Sequence, residues 1–287
     1  MKYNISSDLK LIRGMLNKSQ IAMVSSLNIS KLTLLRIESN QIYPNDETLS
    51  DIYNFAYKKK IKLNYIKEML CKEEHSNEKV IFHGAKTQIE GEISPFIGKS
   101  NNDFGQGFYC GENYRQALSF VAKYPDSSLY MIVFNDKGLK KLEFDVNQEW
   151  MLAIAFYRGT IDKYKDHPLI KNIIKKVKNS DYVYAPIADN RMFVIIDQFI
   201  DGLITDEQCK HCLAATDLGK QYVFLNKKAT SKLQIIERMY VCKLEKEDSL
   251  KTKDDNVNDG DNKVKAALIK YKGKGKYIEE ILNETNW

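Results

Sequence analysis

Two short segments carry the residue types best suited to chemistry. Val80-Ile-Phe-His-Gly84 reads as a strand ending in His-Gly, and Asp103-Phe-Gly-Gln-Gly-Phe-Tyr-Cys110 as a glycine-punctuated turn that delivers an aromatic ring. This is the kind of apparatus that holds a nicotinamide ring against a ribose, with glycine leaving the backbone open to close approach by a ligand. Each piece alone is weak. Most His-Gly pairs are turns, and a Phe-Gly-x-Gly-Phe-Tyr run is more often a β-turn with core aromatics. In order, and with the strand-like Gln221-Tyr-Val-Phe-Leu225 far downstream, they are much harder to obtain by chance.

The elements that must position these residues follow from periodicity. Before them, residues 6–70 read as short helices, with apolar residues at helical spacing: Leu9, Ile12 and Leu16, then Leu34 and Ile37, then Leu49, Ile52 and Ala56. Ser19, Ser30 and Asn45 or Asp46 sit where helix N-caps are expected. Lys72–Lys79 is polar and reads as a linker. From Val80 the texture changes. Leu129–Phe134, Gln221–Leu225 and Ile235–Lys243 read as strands. Met151–Tyr157, Leu169–Val177 and the apolar Met192–Leu203 read as helices. Glu245–Asn262 is polar and reads as an exposed loop, followed by a helix around Val264–Tyr271 or Tyr277–Leu282. The expected class is α+β: an all-helical domain over 1–70, a linker over 71–79, a split-sheet domain with helices over 80–245, and a polar loop with a C-terminal helix over 246–287.

The 287 residues can bury one large core or two modest ones. No apolar run approaches the roughly 20 residues of a membrane helix, and no signal peptide is visible. Five cysteines, an odd number without a paired framework, suggest reduced thiols in a cytoplasmic protein. Of the net charge of +6, most lies in residues 1–70, where 11 Lys and Arg face 6 Asp and Glu. A basic excess confined to one segment suggests that this segment meets an anion, or that lysines merely keep it in solution. Cys209-Lys-His-Cys212 has the shape of half a zinc site, but a structural zinc needs four ligands, so no metal is expected. The basic run Lys272–Lys276 reads as a solvated end or a nucleic-acid contact. The absence of a Walker-type loop argues against a nucleoside triphosphatase.

Leu11–Ala56 resembles a helix-turn-helix domain of the phage-repressor (Cro-like) type. The resemblance rests on Leu11-Ile-Arg13, Ser19-Gln-Ile-Ala22, Leu27-Asn-Ile-Ser30, Leu34-Leu-Arg-Ile-Glu38 and Pro44-Asn-Asp-Glu-Thr-Leu49. It implies that Gln20 opens the second helix and meets a phosphate. Ser30 would cap the recognition helix, and Lys31, Thr33 and Arg36 would face DNA. Leu32 and Leu35 depart from the pattern: they stand where polar base readers are expected and cannot hydrogen-bond base edges. DNA binding and protein docking, for instance to an antitoxin, both stay open.

His83-Gly84, Phe104-Gly-Gln-Gly-Phe-Tyr109 and a following helix with Gln116-Ala117 resemble the ADP-ribosyltransferase superfamily, in its His-Tyr-Glu branch. Asp103–Tyr109 and Ala185-Pro-Ile-Ala-Asp-Asn-Arg-Met192 resemble, more narrowly, the uncharacterised bacterial DUF3990 type over about residues 80–240. The resemblance implies NAD as substrate. His83 would bond the adenosine ribose, Gly84 would grip the nicotinamide amide through its backbone, and Tyr109 would stack on the ring. Gly105 and Gly107 would let the loop turn beside Phe104, and Tyr114 would add a second aromatic wall. Cleavage of the nicotinamide–ribose bond passes through an oxocarbenium-like state, which calls for a nearby negative charge. The family's Glu is replaced by Gln221, which can bond the 2′-hydroxyl but carries no charge. Asp189, Glu237 or Asp103 could supply one. Arg191 could reach a diphosphate, or Asp189 could simply cap a helix.

The leading expectation is therefore an NAD-dependent mono-ADP-ribosyltransferase fused to a helix-turn-helix. Its resemblance implies a toxin or anti-phage setting and a nucleic-acid or protein acceptor. The alternatives are an NAD- or ADP-ribose-sensing transcriptional regulator and a protein-docking scaffold. No membrane partner is expected.

Overall fold

A computed structural model describes residues 1–215 and 218–284. In chain order the helices are α1 (Ile5–Met15), α2 (Gln20–Leu27), α3 (Lys31–Glu38), α4 (Asp46–Lys58), α5 (Leu63–Glu74), α6 (Tyr114–Val121), α7 (Gln148–Arg158), α8 (Pro168–Lys178), α9 (Asn190–Ile200), α10 (Asp206–Ala214), α11 (Lys227–Thr230), α12 (Lys243–Lys270) and α13 (Ile278–Leu282). The strands are β1 (Lys79–Ala85), β2 (Phe108–Gly111), β3 (Ser128–Phe134), β4 (Lys141–Glu143), β5 (Tyr182–Pro186), β6 (Lys220–Phe224) and β7 (Leu233–Met239). The chain is thus mixed α/β, with a helical N-terminal region followed by a mostly antiparallel set of strands.

Local chemistry explains the first helices. Ser19, Ser30 and Asn45 each accept a hydrogen bond from the backbone N–H three residues on, which satisfies one of the orphan donors of a helix start. Asn28 ends α2 in the left-handed region, at φ 52°, and turns the chain into α3. The apolar stripes named above close a core of Leu9, Ile12, Met23, Leu34, Ile37, Leu49 and Ile52, all buried.

The chain divides into two compact units. The first comprises Met1–Glu90, Asn113–Phe134 and Gln234–Thr252; the second comprises Gly91–Glu112, Asn135–Leu233 and the segment from Lys253 on. In the first, β1 pairs antiparallel with β3, so that His83 lies opposite Tyr130 and Gly84 opposite Leu129. α6 packs on this pair through Ala117 and Leu118. The N-terminal helices are tied to the returning chain in the same unit. Lys67 of α5 is buried between Asp8 of α1 and Glu237 of β7, and the Tyr53 ring stacks on Tyr240 with centroids 4.3 Å apart. In the second unit the strand order is β4-β5-β6-β2. β4 and β5 run parallel, while β5–β6 and β6–β2 are antiparallel, placing Gly111 opposite Gln221 and Tyr109 opposite Val223. Its core gathers Trp150, Ile154, Ile173, Phe199 and Val223.

Two expectations need correction. The polar stretch Glu245–Asn262 is not a loop but the middle of α12. It lacks proline, is rich in Lys, Asp and Glu, and carries i,i+4 ion pairs such as Lys263–Asp259 at 2.6 Å. Apolar residues anchor it at both ends: Leu244 packs in the core of the first unit, Val264 and Ala267 in that of the second. The linker is also shorter than expected, because α5 continues to Glu74, its buried Cys71 included, and leaves a single turn before β1.

Candidate functional site

Within the second unit the glycine-rich turn folds back on itself. Gly105 has φ +74°, and a Cβ there would stand 2.9 Å from the Tyr157 ring, so both backbone and space demand glycine. The Tyr109 hydroxyl donates to the Gly105 carbonyl at 2.7 Å and accepts from the Phe104 N–H at 3.1 Å. It thereby staples the turn to β2, and burial pushes its pKa up. Phe104 is fully buried, with its ring stacked on Phe144. Gly107 lies flat against Val223 and Phe224 of β6.

This turn delivers Asp103 into the unit. The carboxylate is buried and holds three donors: Arg158 Nη2 at 2.7 Å, Gln221 Nε2 at 2.7 Å and the Ala188 N–H at 3.3 Å. Burial raises the Asp103 pKa, against the pull of Arg158 and Gln221. The Gln221 amide nitrogen also faces the Pro186 carbonyl at 3.3 Å. Both of its neighbours are acceptors when Asp103 is ionised, so chemistry fixes the nitrogen on that side. Its Oε1 accepts no hydrogen bond from the described residues and is available to a hydroxyl. Arg158 lies over the Phe193 ring at 3.7 Å, which holds its guanidinium in place.

The remaining residues named from the sequence lie elsewhere. Asp189 caps α9, accepting from the Arg191 and Met192 N–H groups. Arg191 donates to the Val257 carbonyl at 2.8 Å and meets Asp261 on α12. Glu237 belongs to the first unit and pairs with Lys67. His83 and Gly84 also lie in the first unit, on β1. A Cβ on Gly84 would stand 2.5 Å from the Ala117 carbonyl of α6, so helix packing alone requires glycine there. Tyr114 opens α6 and is buried; its N–H donates to Glu68 at 3.2 Å.

On the N-terminal helices, Lys31 and Arg36 are exposed. Thr33 bonds Ser30 side chain to side chain at 2.8 Å. The Gln20 amide donates to Glu38 at 2.7 Å, a carboxylate also held by Arg13. Leu32 and Leu35 lie on the outer face, 56% and 36% exposed. Cys209 and Cys212 are buried in α10 with their thiols on the Ile195 and Val264 carbonyls.

Arg158 was not foreseen from the sequence. A signal was there: only 6 of the 44 basic residues are arginine. Arg13, Arg158, Arg191 and Arg238 each anchor a hydrogen-bonded network, which their planar fork suits.

The fold and the site define a mixed α/β protein with a helical N-terminal region and a cluster of buried Asp103 and Gln221 with half-buried Arg158. A family described as a protein of unknown function (DUF3990) matches residues 79–235, more than half of the chain, and the chain belongs to that family. No curated protein matches it.

Proposed function

We propose that the chain is an NAD-dependent mono-ADP-ribosyltransferase carrying an N-terminal helix-turn-helix domain. The observation that carries this reading is the buried pair Asp103–Gln221, which supplies the charge that Gln221 lacks. In the reaction the bond between ribose C1′ and the nicotinamide nitrogen breaks, and nicotinamide leaves with the electron pair. The acceptor nucleophile then bonds C1′ and loses its proton. Gln221 Oε1 would accept from the ribose 2′-hydroxyl while its Nε2 stays on Asp103, so the carboxylate polarises the amide toward the developing cation. Tyr109 and the stapled turn would present the nicotinamide wall. His83 and Gly84 would take the ribose and amide roles that the family resemblance gives them, and Arg191 a diphosphate role. The front domain would meet DNA through Gln20, Ser30, Lys31, Thr33 and Arg36. A cytoplasmic toxin or anti-phage effector is the setting that this reading implies.

A specific observation favours a second reading. Arg158 already neutralises Asp103, so the pair could bind NAD or ADP-ribose without cutting it, as a sensor that regulates transcription. Apart from both, the exposed Leu32 and Leu35 would suit a docking scaffold that binds a partner such as an antitoxin. Incubating the protein with labelled NAD and a cell lysate separates these readings. Transfer that is lost in His83→Ala and Tyr109→Ala supports the enzyme. Transfer that survives both substitutions refutes the site, and tight NAD binding without nicotinamide release favours the sensor.

A further inference from the structure

A second feature of the same unit has no part in the Asp103 cluster. Between the last turn of α7, the turn before α8 and one face of α8 lies a cavity of about 450 Å³. Its floor is apolar, formed by the half-buried Phe156 and the buried Ile174. Its walls are Lys165, Lys171, Lys175 and Lys178, against one carboxylate, Asp166, which pairs with Lys171 at 3.0 Å. Lys165, Lys175 and Lys178 have no ion pair among the described residues.

Helix stability does not account for this arrangement. Lys171, Lys175 and Lys178 recur at i, i+4 and i+7, so they form one stripe on one face of α8. Like charges at i,i+4 weaken a helix. The macrodipole welcomes cations in the last turn, which covers Lys175 and Lys178, but not Lys171 near the helix start or Lys165 before it. A bound polyanion would offset the repulsion along the whole stripe.

We propose that this cavity binds single-stranded nucleic acid, with phosphates on the lysine stripe and a base on Phe156. Three unpaired ammonium groups suit successive phosphates, and an aromatic floor suits a flat base of any identity. The Asn179 amide at the rim offers the polar contact that a base edge uses. A lipid surface fits less well, because neither apolar lining residue is exposed: Phe156 is half-buried and Ile174 buried, so neither can insert between acyl chains. The last turn of α7 ties the cavity to the proposed centre. Phe156 lines the cavity, Tyr157 packs under Gly105, and Arg158 holds Asp103. The consequence for the acceptor, single-stranded nucleic acid, rests on the transferase reading; the binding itself does not.

The test is fluorescence anisotropy of the full chain with labelled oligothymidylate and oligouridylate across a salt series. Each phosphate contact contributes a slope of about −0.7 in log affinity against log salt. Replacing Lys165, Lys175 and Lys178 together by Ala should make the slope shallower by about 2 and weaken binding roughly 100-fold at about 0.1 M salt. The matching triple Arg variant should keep both. Phe156→Leu should weaken binding roughly tenfold with the slope unchanged. Oligonucleotide binding that ignores the Ala triple, or Ala and Arg triples that behave alike, overturns the proposal. So does lysine-dependent capture on phosphatidylserine vesicles without oligonucleotide binding. Binding lost instead in Lys31→Ala/Arg36→Ala assigns the contact to the front helices and overturns it as well. Nicotinamide release by the wild type, measured alongside, separates the two readings. Oligonucleotide binding that depends on the stripe, with no release, leaves this cavity standing and removes the transferase; release with a Lys-independent oligonucleotide does the reverse.

Discussion

Placing a glutamate at position 221 is the sharpest test of the proposed site, because a lost catalytic charge and a charge held by Asp103 predict opposite outcomes. If the chain has merely lost its catalytic carboxylate, Gln221→Glu should raise nicotinamide release. If Asp103 holds that charge through Gln221, the same substitution places two carboxylates against each other. Nε2 lies 2.7 Å from Asp103 Oδ2, and two unit charges at that distance repel by about 6 kcal/mol at an effective dielectric of about 20. Arg158 on the other Asp103 oxygen and side-chain rotation reduce this, so a loss of a few kcal/mol is expected at pH 8. The pair escapes by sharing a proton, which raises one carboxyl pKa. A raised carboxyl pKa means that the folded state binds the extra proton. The variant's stability should therefore be near that of the wild type in acid and fall away as pH rises through the shared value. Urea unfolding of both proteins at several pH values reads this directly, beside an assay of nicotinamide release. A variant as stable as the wild type at pH 8, with faster release, would refute the Asp103 reasoning.

Other perturbations check other parts of the structure. Gly84→Ala drives a methyl to 2.5 Å from the Ala117 carbonyl, and should lower stability by about 1–3 kcal/mol in urea unfolding whether or not NAD binds. Tyr109→Phe removes the staple and leaves the Gly105 carbonyl and Phe104 N–H short of a partner; a loss of about 1–3 kcal/mol is expected, with weaker NAD binding by calorimetry. Lys67→Met leaves the buried Asp8 and the half-buried Glu237 without their cation, which should cost about 3–5 kcal/mol by thermal unfolding. Glu245 is buried, Asn64 donates to one of its oxygens at 2.8 Å, and the other oxygen and the Asn64 carbonyl both lack partners among the described residues. Burial lifts its pKa from 4.5 to about 7. Its contribution is present below the unfolded value and lost as pH rises through about 7, by up to roughly 3 kcal/mol, and Glu245→Gln should flatten that part of the stability–pH curve.

What was legible in the sequence is what is encoded locally. Ser19, Ser30 and Asn45 could be read as caps because a cap needs only its own side chain and an N–H three residues on. β3 and β6 could be read because branched and aromatic residues fill their runs. α12 could not, because its polar middle has no apolar period and its anchors, Leu244 and Val264, lie 20 residues apart. Of the cluster, Asp103 and Gln221 could be named from the sequence, Arg158 could not, and the arrangement of all three was illegible. Asp103 and Gln221 stand 118 positions apart, and Arg158 stands 55 from Asp103. Only the β2–β6 register and the turn folded back by Tyr109 bring them together. That changes how Gln221 reads. Taken alone, a glutamine where the transferases that this chain resembles carry glutamate would be a lost charge. Beside a buried carboxylate it is the neutral member that the geometry requires, since a second anion at 2.7 Å would have to take up a proton and lose the charge it was meant to supply. The departure at 221 and the aspartate at 103 are therefore one feature, and substituting either tests both.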